Sequence, residues 1–483
     1  MTVKYGRAIL PGEIESSRLV EFVKFVELLT MGNQKTVKEI DRRSFLRSTA
    51  AVGAGLAFSP MVVGQASGGK ADTINVGLLG TGAQGQVLMN ACRNIPGIRF
   101  KAVCDIWTAY NQKRVSRMLK AYRHEHNTYV DYKEMLDKEK DNLDAVIIAT
   151  PDFWHSEHAV ACLEAGLNVY CEKEMSNTLE GAKKMVEAAK KSGKLLQIGH
   201  QRRSNPRYRH AYDKLITGAK LLGEITTING QWNRSKAACE DLGFPRNAKI
   251  DQATLEKYGF ESMQQFRNWR WYKGLGGGPI VDLGSHQIDI YSWFLGANPK
   301  SVMASGGIDY WKGHDWYDNV MVIYEYPVGD RTVRAFYQTI TTNSSQGYFE
   351  TFMGDEGSLV ISEASGRGTV YREAWVPAEN WEKWVKMGFI EEPVEPEEEK
   401  SAGDAVLDVR ESPKPPSYDI PVTMEGKPYH QPHLENFFDA VRGKAKLNCP
   451  AEIGYETAVT VLKVNEAVAA GRRLDFKPED FEA

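Results

Sequence analysis

Four short stretches carry side chains whose types and spacing could move protons. The first is Tyr170-Cys171-Glu172-Lys173-Glu174. A lysine flanked by acids can hold an oxygen as negative charge grows on it, or relay its proton; a solvated lysine at a strand end has the same spacing. The second runs from Gly276 to Asp289, GGGPIVDLGSHQID. Three glycines and a proline punctuate a helix start. On that helix Asp282, His286 and Asp289 fall at i, i+4 and i+7 on one face. A carboxylate one turn before an imidazole can orient the ring and raise its basicity, as a general base requires. A helix N-terminal acid beside a surface histidine fits equally. The third is Thr150-Pro151-Asp152-Phe153-Trp154-His155. His155 and His158 stand i, i+3 there, where capping or a ligand contact suits them better than a metal. The fourth is Gly199-His200-Gln201-Arg202-Arg203, whose cations suit either substrate oxygens or surface ion pairs. No third nitrogen or thiolate completes a metal set, so none is expected.

The elements that must position these groups begin with INVGLLGTGAQG, Ile74 to Gly85. Ile74, Val76, Leu78 and Leu79 form a short apolar run that reads as a buried parallel strand. Gly80, Thr81, Gly82, Ala83, Gln84 and Gly85 follow, with G-x-G-x-x-G spacing, and a helix continues from Val87. The glycines serve a tight turn, close approach to a pyrophosphate, and helix–strand packing. The helix start offers free N–H groups to the phosphates. A second strand, Arg99 to Val103, leads to Asp105. A carboxylate there suits a ribose 2′-hydroxyl and repels a 2′-phosphate, favouring NAD over NADP.

Strands at 143–149, 168–171 and 195–198 alternate with helices at 157–165 and 179–191. That alternation predicts a Rossmann domain over 71–201. From residue 202 the texture changes. Runs at 224–232, 301–308, 319–326, 331–341, 347–353 and 358–362 read as strands joined by short turns, predicting a mainly antiparallel sheet. Glu391 to Lys400 and Pro413 to Pro421 read as loops. Residues 432–441 and 453–470 read as amphipathic helices returning over the sheet or the first domain. The fold class is therefore α/β, with a substrate and oligomerisation domain over 202–476.

Residues 1–70 form an N-terminal extension. Arg42 and Arg43 open DRRSFLRSTAAVGAGLAFSPMVVGQA, whose Thr49–Val63 stretch is small and apolar. It is too short and too rich in glycine and alanine for a membrane span. The paired arginines predict the twin-arginine export machinery and a periplasmic address, with Ala66 before a possible cleavage site. Residues 1–30 look unlike any n-region, and Met31 makes a more natural start. A net charge of −3 gives no argument for nucleic acid or an anionic membrane. The six cysteines are scattered without a C-x-x-C, and Cys104 and Cys171 fall in expected strands as core residues.

The order of G-x-G-x-x-G, TPDFWHSEHAVACLEAGLNVYCEKE, IGHQRR and GGGPIVDLGSHQID resembles the Gfo/Idh/MocA oxidoreductases, from Ile74 to about Phe476. The resemblance implies a Rossmann domain and an open-faced sheet, often buried in a homodimer or homotetramer. It implies NAD(P)-dependent hydride transfer at a hydroxyl of a sugar, polyol or glycoside. The family's E-K-P lysine aligns with Lys173, and its D-x-x-x-H pair with Asp282 and His286. The nucleotide contacts it implies are Gly80 to Gly85, Asp105, Thr150, Pro151, His155, Glu172, Lys173 and Gln201. Its substrate candidates are Arg202, Trp232, Asp282 and His286, with Trp269, Trp271 and Tyr272 as further aromatics for a sugar face or for core. Glu174 replaces the usual proline and adds a charge. Asn168 replaces a common histidine. Export implies a tightly held cofactor that is reset on the enzyme. A second substrate, an external acceptor, or return of the hydride to the same sugar would do this; the last describes a glycosidase or epimerase. Loss of Lys173 or His286 would instead mark a sugar sensor.

Overall fold

The computed structural model describes residues 73–364, 366–392, 412 and 414–483. The leader and most of the acidic run after Glu392 lie outside the described residues.

Ile74, Val76, Leu78 and Leu79 are buried on strand β1 (Ile74–Leu79). It lies between β2 (Ile98–Cys104) and β4 (Ala145–Ile148), parallel to both. With β3 (Asn127–Tyr129), β5 (Asn168–Cys171) and β6 (Leu196–Ile198) the order is β3-β2-β1-β4-β5-β6. This is the doubly wound order whose reversal between β1 and β4 opens a ligand crevice at the carboxyl ends. Helices α1 (Ala83–Cys92), α2 (Lys113–Ala121), α3 (Tyr132–Glu139), α4 (Asp152–Glu164) and α5 (Leu179–Ser192) cover the sheet. Local chemistry sets their ends. Thr178 caps α5 by accepting from Gly181 N, and Gly193 stops it at φ 66°. Helix α4 opens at Asp152 rather than at the expected Glu157. Pro151 supplies extended backbone (φ −62°, ψ 149°) directly before it, so His155 and His158 fall in its buried early turns.

The second sheet comprises β7 (Ile225–Asn233), β8 (Ser301–Gly307), β9 (Asn319–Val328), β10 (Arg331–Ile340), β11 (Tyr348–Gly354), β12 (Gly357–Ile361), β13 (Gly368–Arg372), β14 (Ser417–Asp419) and β15 (Leu474–Asp475). Its order is β14-β13-β12-β11-β7-β10-β9-β8-β15. Every pairing is antiparallel except β7 with β10. The Val328-Gly329-Asp330 turn joins β9 to β10 as expected, with Gly329 at φ 60°. Strand β14 corrects the loop reading of residues 413–421. It borrows its hydrogen bonds from the edge of β13, a long-range partner that local composition does not announce.

Helix α6 (Gly278–Leu295) packs on β7, β9 and β10, and α8 (Ala451–Ala470) packs on α6, β8 and α5. Helix α7 (Gln431–Val441) crosses to the first domain. Its Leu434, Phe437 and Phe438 join Ile74, Leu88 and Phe100 in one core. The chain after residue 430 therefore secures both sheets. All six cysteines are buried and unpaired. No helix among the described residues is long and apolar enough to cross a membrane.

Candidate active site

The turn after β1 separates its three glycines by function. Gly80 has φ +91°, and a Cβ there would meet the Ala149 carbonyl at 2.6 Å. A Cβ on Gly85 would meet the Gly80 carbonyl oxygen at 2.1 Å, so only glycine lets α1 pack onto the strand. Gly82 is different: a Cβ there would find only Asn111 Nδ2, at 4.0 Å. The space in front of Gly82 belongs to the cleft. Helix α1 has no side-chain cap and no acid in its first turn, so its leading N–H groups stay available to an anion. These features fit a dinucleotide pyrophosphate.

Asp105 closes the other side of this turn. Its Oδ2 accepts from Thr81 N and Oγ1, both at 2.7 Å, and its Oδ1 accepts from Trp107 N. Burial raises its pKa, against the pull of those donors. Gln84 Nε2 donates to Glu172 Oε1 at 2.9 Å and meets His430 Nε2 at 2.9 Å. Thr150, Pro151, Glu172 and Gln201 line the cleft. His155 does not. It is fully buried, with its ring nitrogens 2.7 Å from the Glu174 carbonyl and 2.8 Å from the Thr150 carbonyl. It braces the two strand-end loops on which the cleft is built.

Lys173, Asp282 and His286 come together on the same cavity, of ≈ 500 Å³, that holds Gly80, Gly82 and Asp105. That size suits a small-molecule ligand. Lys173 Nζ donates to the Asp282 carbonyl and lies 3.1 Å from its Oδ1. Arg270 Nε is 3.0 Å from the same oxygen. Burial alone would raise the Asp282 pKa, but Arg270 and Lys173 hold it well below the usual carboxylate range. The expected orienting bond from Asp282 to His286 is not made, because both cations claim the carboxylate. His286 Nδ1 has no hydrogen-bond partner, and the ring packs 5.6 Å from Trp232 and 6.4 Å from His200. Burial and the nearby Lys173 hold the imidazole neutral. Asp289, the third residue of that helix face, points elsewhere: it pairs with Arg203 and accepts from Thr457 Oγ1.

Arg202, a substrate candidate, is 1% exposed and lies away from the cleft surface. It pairs with Glu350 and with Glu363, and Tyr208 donates to Glu350. Its guanidinium sits beneath Trp232 and Tyr348, at 5.5 and 5.8 Å. Those two rings stack at 4.5 Å and form a flat wall of the cleft. Glu174 does not add the expected charge. Its carboxyl is buried, Oε1 accepts from Met175 N, and burial pushes its pKa up to about 8.

Sequence reasoning gave Asp152 no role of its own and missed Arg270, Tyr348, Tyr429 and His430; all five stand on the cleft wall. Asp152 is buried there, and burial pushes its pKa up to about 7. Only its place directly after Thr150-Pro151 could have signalled it. Tyr429 and His430 arrive from just before α7, and no local pattern links them to the Rossmann turn.

Comparison with known proteins bears on the family and the fold. A family model described as an oxidoreductase family with an NAD-binding Rossmann fold matches residues 74–200. The GFO/IDH/MocA C-terminal domain model matches 216–360, and the twin-arginine translocation pathway signal model matches 39–59. The inositol 2-dehydrogenase/D-chiro-inositol 3-dehydrogenase of Shouchella clausii is 31% identical over 156 residues, 31% of this chain and 43% of that protein. A glycosyl hydrolase family 109 protein of Shewanella baltica is 28% identical over 176 residues, 32% of this chain and 38% of that protein. The chain thus spans less than half the length of these curated relatives. Among solved structures, the WlbA dehydrogenase of Bordetella pertussis, in complex with NADH and UDP-GlcNAcA, superposes with a TM-score of 0.59 at 16% identity. The match covers 84% of this chain and 99% of that one, a likeness of fold.

Proposed function

Since this chain belongs to the Gfo/Idh/MocA oxidoreductases, we propose that it is an exported, NAD-dependent oxidoreductase acting on a hydroxyl of a sugar, polyol or glycoside. One observation carries the reading: Lys173, Asp282 and His286 share a cavity with the glycine turn. A nicotinamide nucleotide held by the glycine turn would supply hydride chemistry at the substrate carbon. The chain's own groups handle the rest. Lys173, fixed by Asp282, holds the substrate oxygen as charge develops. Neutral His286 takes the hydroxyl proton. Trp232 and Tyr348 give a sugar ring an apolar face. Asp105 supports NAD over NADP.

The twin-arginine signal supports export of a folded, cofactor-loaded protein, and hence a tightly bound nucleotide reset on the enzyme. The likeness to the Shewanella baltica glycosyl hydrolase supports a second reading, glycoside cleavage or epimerisation through transient oxidation. The test is to purify the mature protein, detect bound nicotinamide, and follow its absorbance while sugars and glycosides are offered. Absence of both nucleotide and spectral change sinks the enzyme reading. Product analysis separates net oxidation from cleavage.

A further inference from the structure

A second cavity, of ≈ 280 Å³, opens beside the first. The two share Leu242, Arg267, Arg270, Asp282 and Leu283 as walls, so a ligand reaching Asp282 from the catalytic side meets the second space directly. The new wall adds Arg234, Glu240 and Trp271.

The charges on this wall do not balance. Arg234 is half-buried, and its guanidinium has no hydrogen bond or ion pair among the described residues. Arg270 shares the Asp282 carboxylate with Lys173, and Asp152 and Glu172 also face Arg270 from the first cavity. Arg267 donates to the Gly243 carbonyl and lies over Trp107 at 5.3 Å, toward the nucleotide end. Glu240, the other carboxylate on the wall, is exposed. The planar fork of Arg234 is free to bind an oxyanion across this wall. The cavity is also rigid on its aromatic side. Trp271 stacks on His314 at 4.1 Å, and His314 Nε2 is held 2.9 Å from Asp241 Oδ1.

We propose that this cavity receives an oxyanion carried by the substrate, with Arg234 as its main ligand and Arg270 beside it. The substrate class is then an anionic sugar: a uronic acid unit, or a sugar phosphate ester. This rests on the reading of the adjoining cleft as a sugar site, so the test measures binding separately from turnover.

Calorimetric titration of the purified full chain with methyl β-D-glucuronide, glucose 6-phosphate and methyl β-D-glucoside decides the matter. At least one anionic sugar should bind about ten-fold more tightly than the glucoside, the worth of one charge-assisted hydrogen bond. The first two ligands distinguish carboxylate from phosphate ester. Arg234→Gln should erase that preference and leave glucoside affinity within about two-fold, while Arg234→Lys should keep part of it. Equal affinity for all three ligands in the unmodified protein overturns the inference, as does a preference that survives Arg234→Gln. An anionic preference without hydride transfer supports the cavity and sinks the oxidoreductase reading; turnover without the preference does the reverse.

Discussion

Lys173 Nζ and Arg270 Nε converge on a single oxygen, Asp282 Oδ1, at 3.1 and 3.0 Å. The lysine therefore points into the cleft because a carboxylate 109 residues further along the chain holds it there. Lys173→Ala is expected to abolish turnover and spare nucleotide binding. Asp282→Asn is expected to lower kcat/KM by about 10²-fold or more, since Lys173 loses its fixed position and both cations lose a charge partner. Nucleotide titration beside steady-state kinetics checks both variants. Near-normal turnover in Lys173→Ala would remove the lysine from the mechanism.

Gly82 and Gly85 stand three residues apart and should fail differently. A Cβ on Gly85 collides with the Gly80 carbonyl oxygen, a backbone atom that cannot yield. Gly85→Ala is expected to lower Tm and to lose nucleotide. A Cβ on Gly82 enters open cleft, and its φ of −62° suits alanine. Gly82→Ala should keep the Tm of the nucleotide-free protein and lose only nucleotide affinity. Thermal melts with and without NAD distinguish these outcomes. A Gly82→Ala protein that binds NAD normally would show that the pyrophosphate lies elsewhere.

The same contrast shows where sequence was informative. The Rossmann turn is encoded within about thirty contiguous residues, so spacing alone located Gly80, Gly82, Gly85 and Asp105. Lys173 and the Asp282–His286 pair were visible because each ends or opens a regular element. What failed were inferences about partners. Helical spacing pairs Asp282 with His286, but Arg270 and Lys173, from other segments, hold the carboxylate instead. The position of Arg202 after the last Rossmann strand suggests a cleft cation, but Glu350 on β11 and Glu363 just after β12 enclose it. Strand β14 was missed for the same reason: its hydrogen bonds come from β13 and not from its own composition.

Stability should depend on pH through two opposed sets of buried groups. Burial lowers His158 and His433 to about 3 and His200 to about 4, from 6.5. Their folded-state values are depressed, so below about pH 6.5 the unfolded chain takes up protons that the folded chain refuses. Stability is lost as pH falls, by up to about 1.4 kcal/mol per pH unit for each histidine. Asp152 and Glu174 act oppositely. Their folded values are raised to about 7 and about 8, so their stabilising contribution is present at low pH and lost as pH rises through those values. Urea unfolding of His433→Gln should show a shallower acid slope than the unmodified protein between about pH 4 and 6.5. Glu174→Gln should be more stable relative to the unmodified protein at about pH 8 than at about pH 5. Parallel curves for either variant would contradict the burial argument.

The outer face of the second sheet predicts an assembly. Along β9, Val320, Val322, Tyr324 and Tyr326 turn inward and are buried, while Met321 and Ile323 turn outward at 38% and 40% exposure. Met303 on neighbouring β8 is 48% exposed and pairs in register with Ile323. Strand alternation places these three apolar side chains on one face, where a monomer would expose them together. A second copy of the chain laid on this face would bury them, in keeping with the homo-oligomer that the family resemblance implies. Light scattering behind size exclusion should therefore find a dimer or tetramer. Ile323→Lys combined with Met321→Glu should shift it to monomer without loss of secondary structure, because both side chains point away from the core that α6 and α8 cover. An unmodified protein that runs as a monomer at micromolar concentration, or an assembly indifferent to both substitutions, would place the contact on another surface.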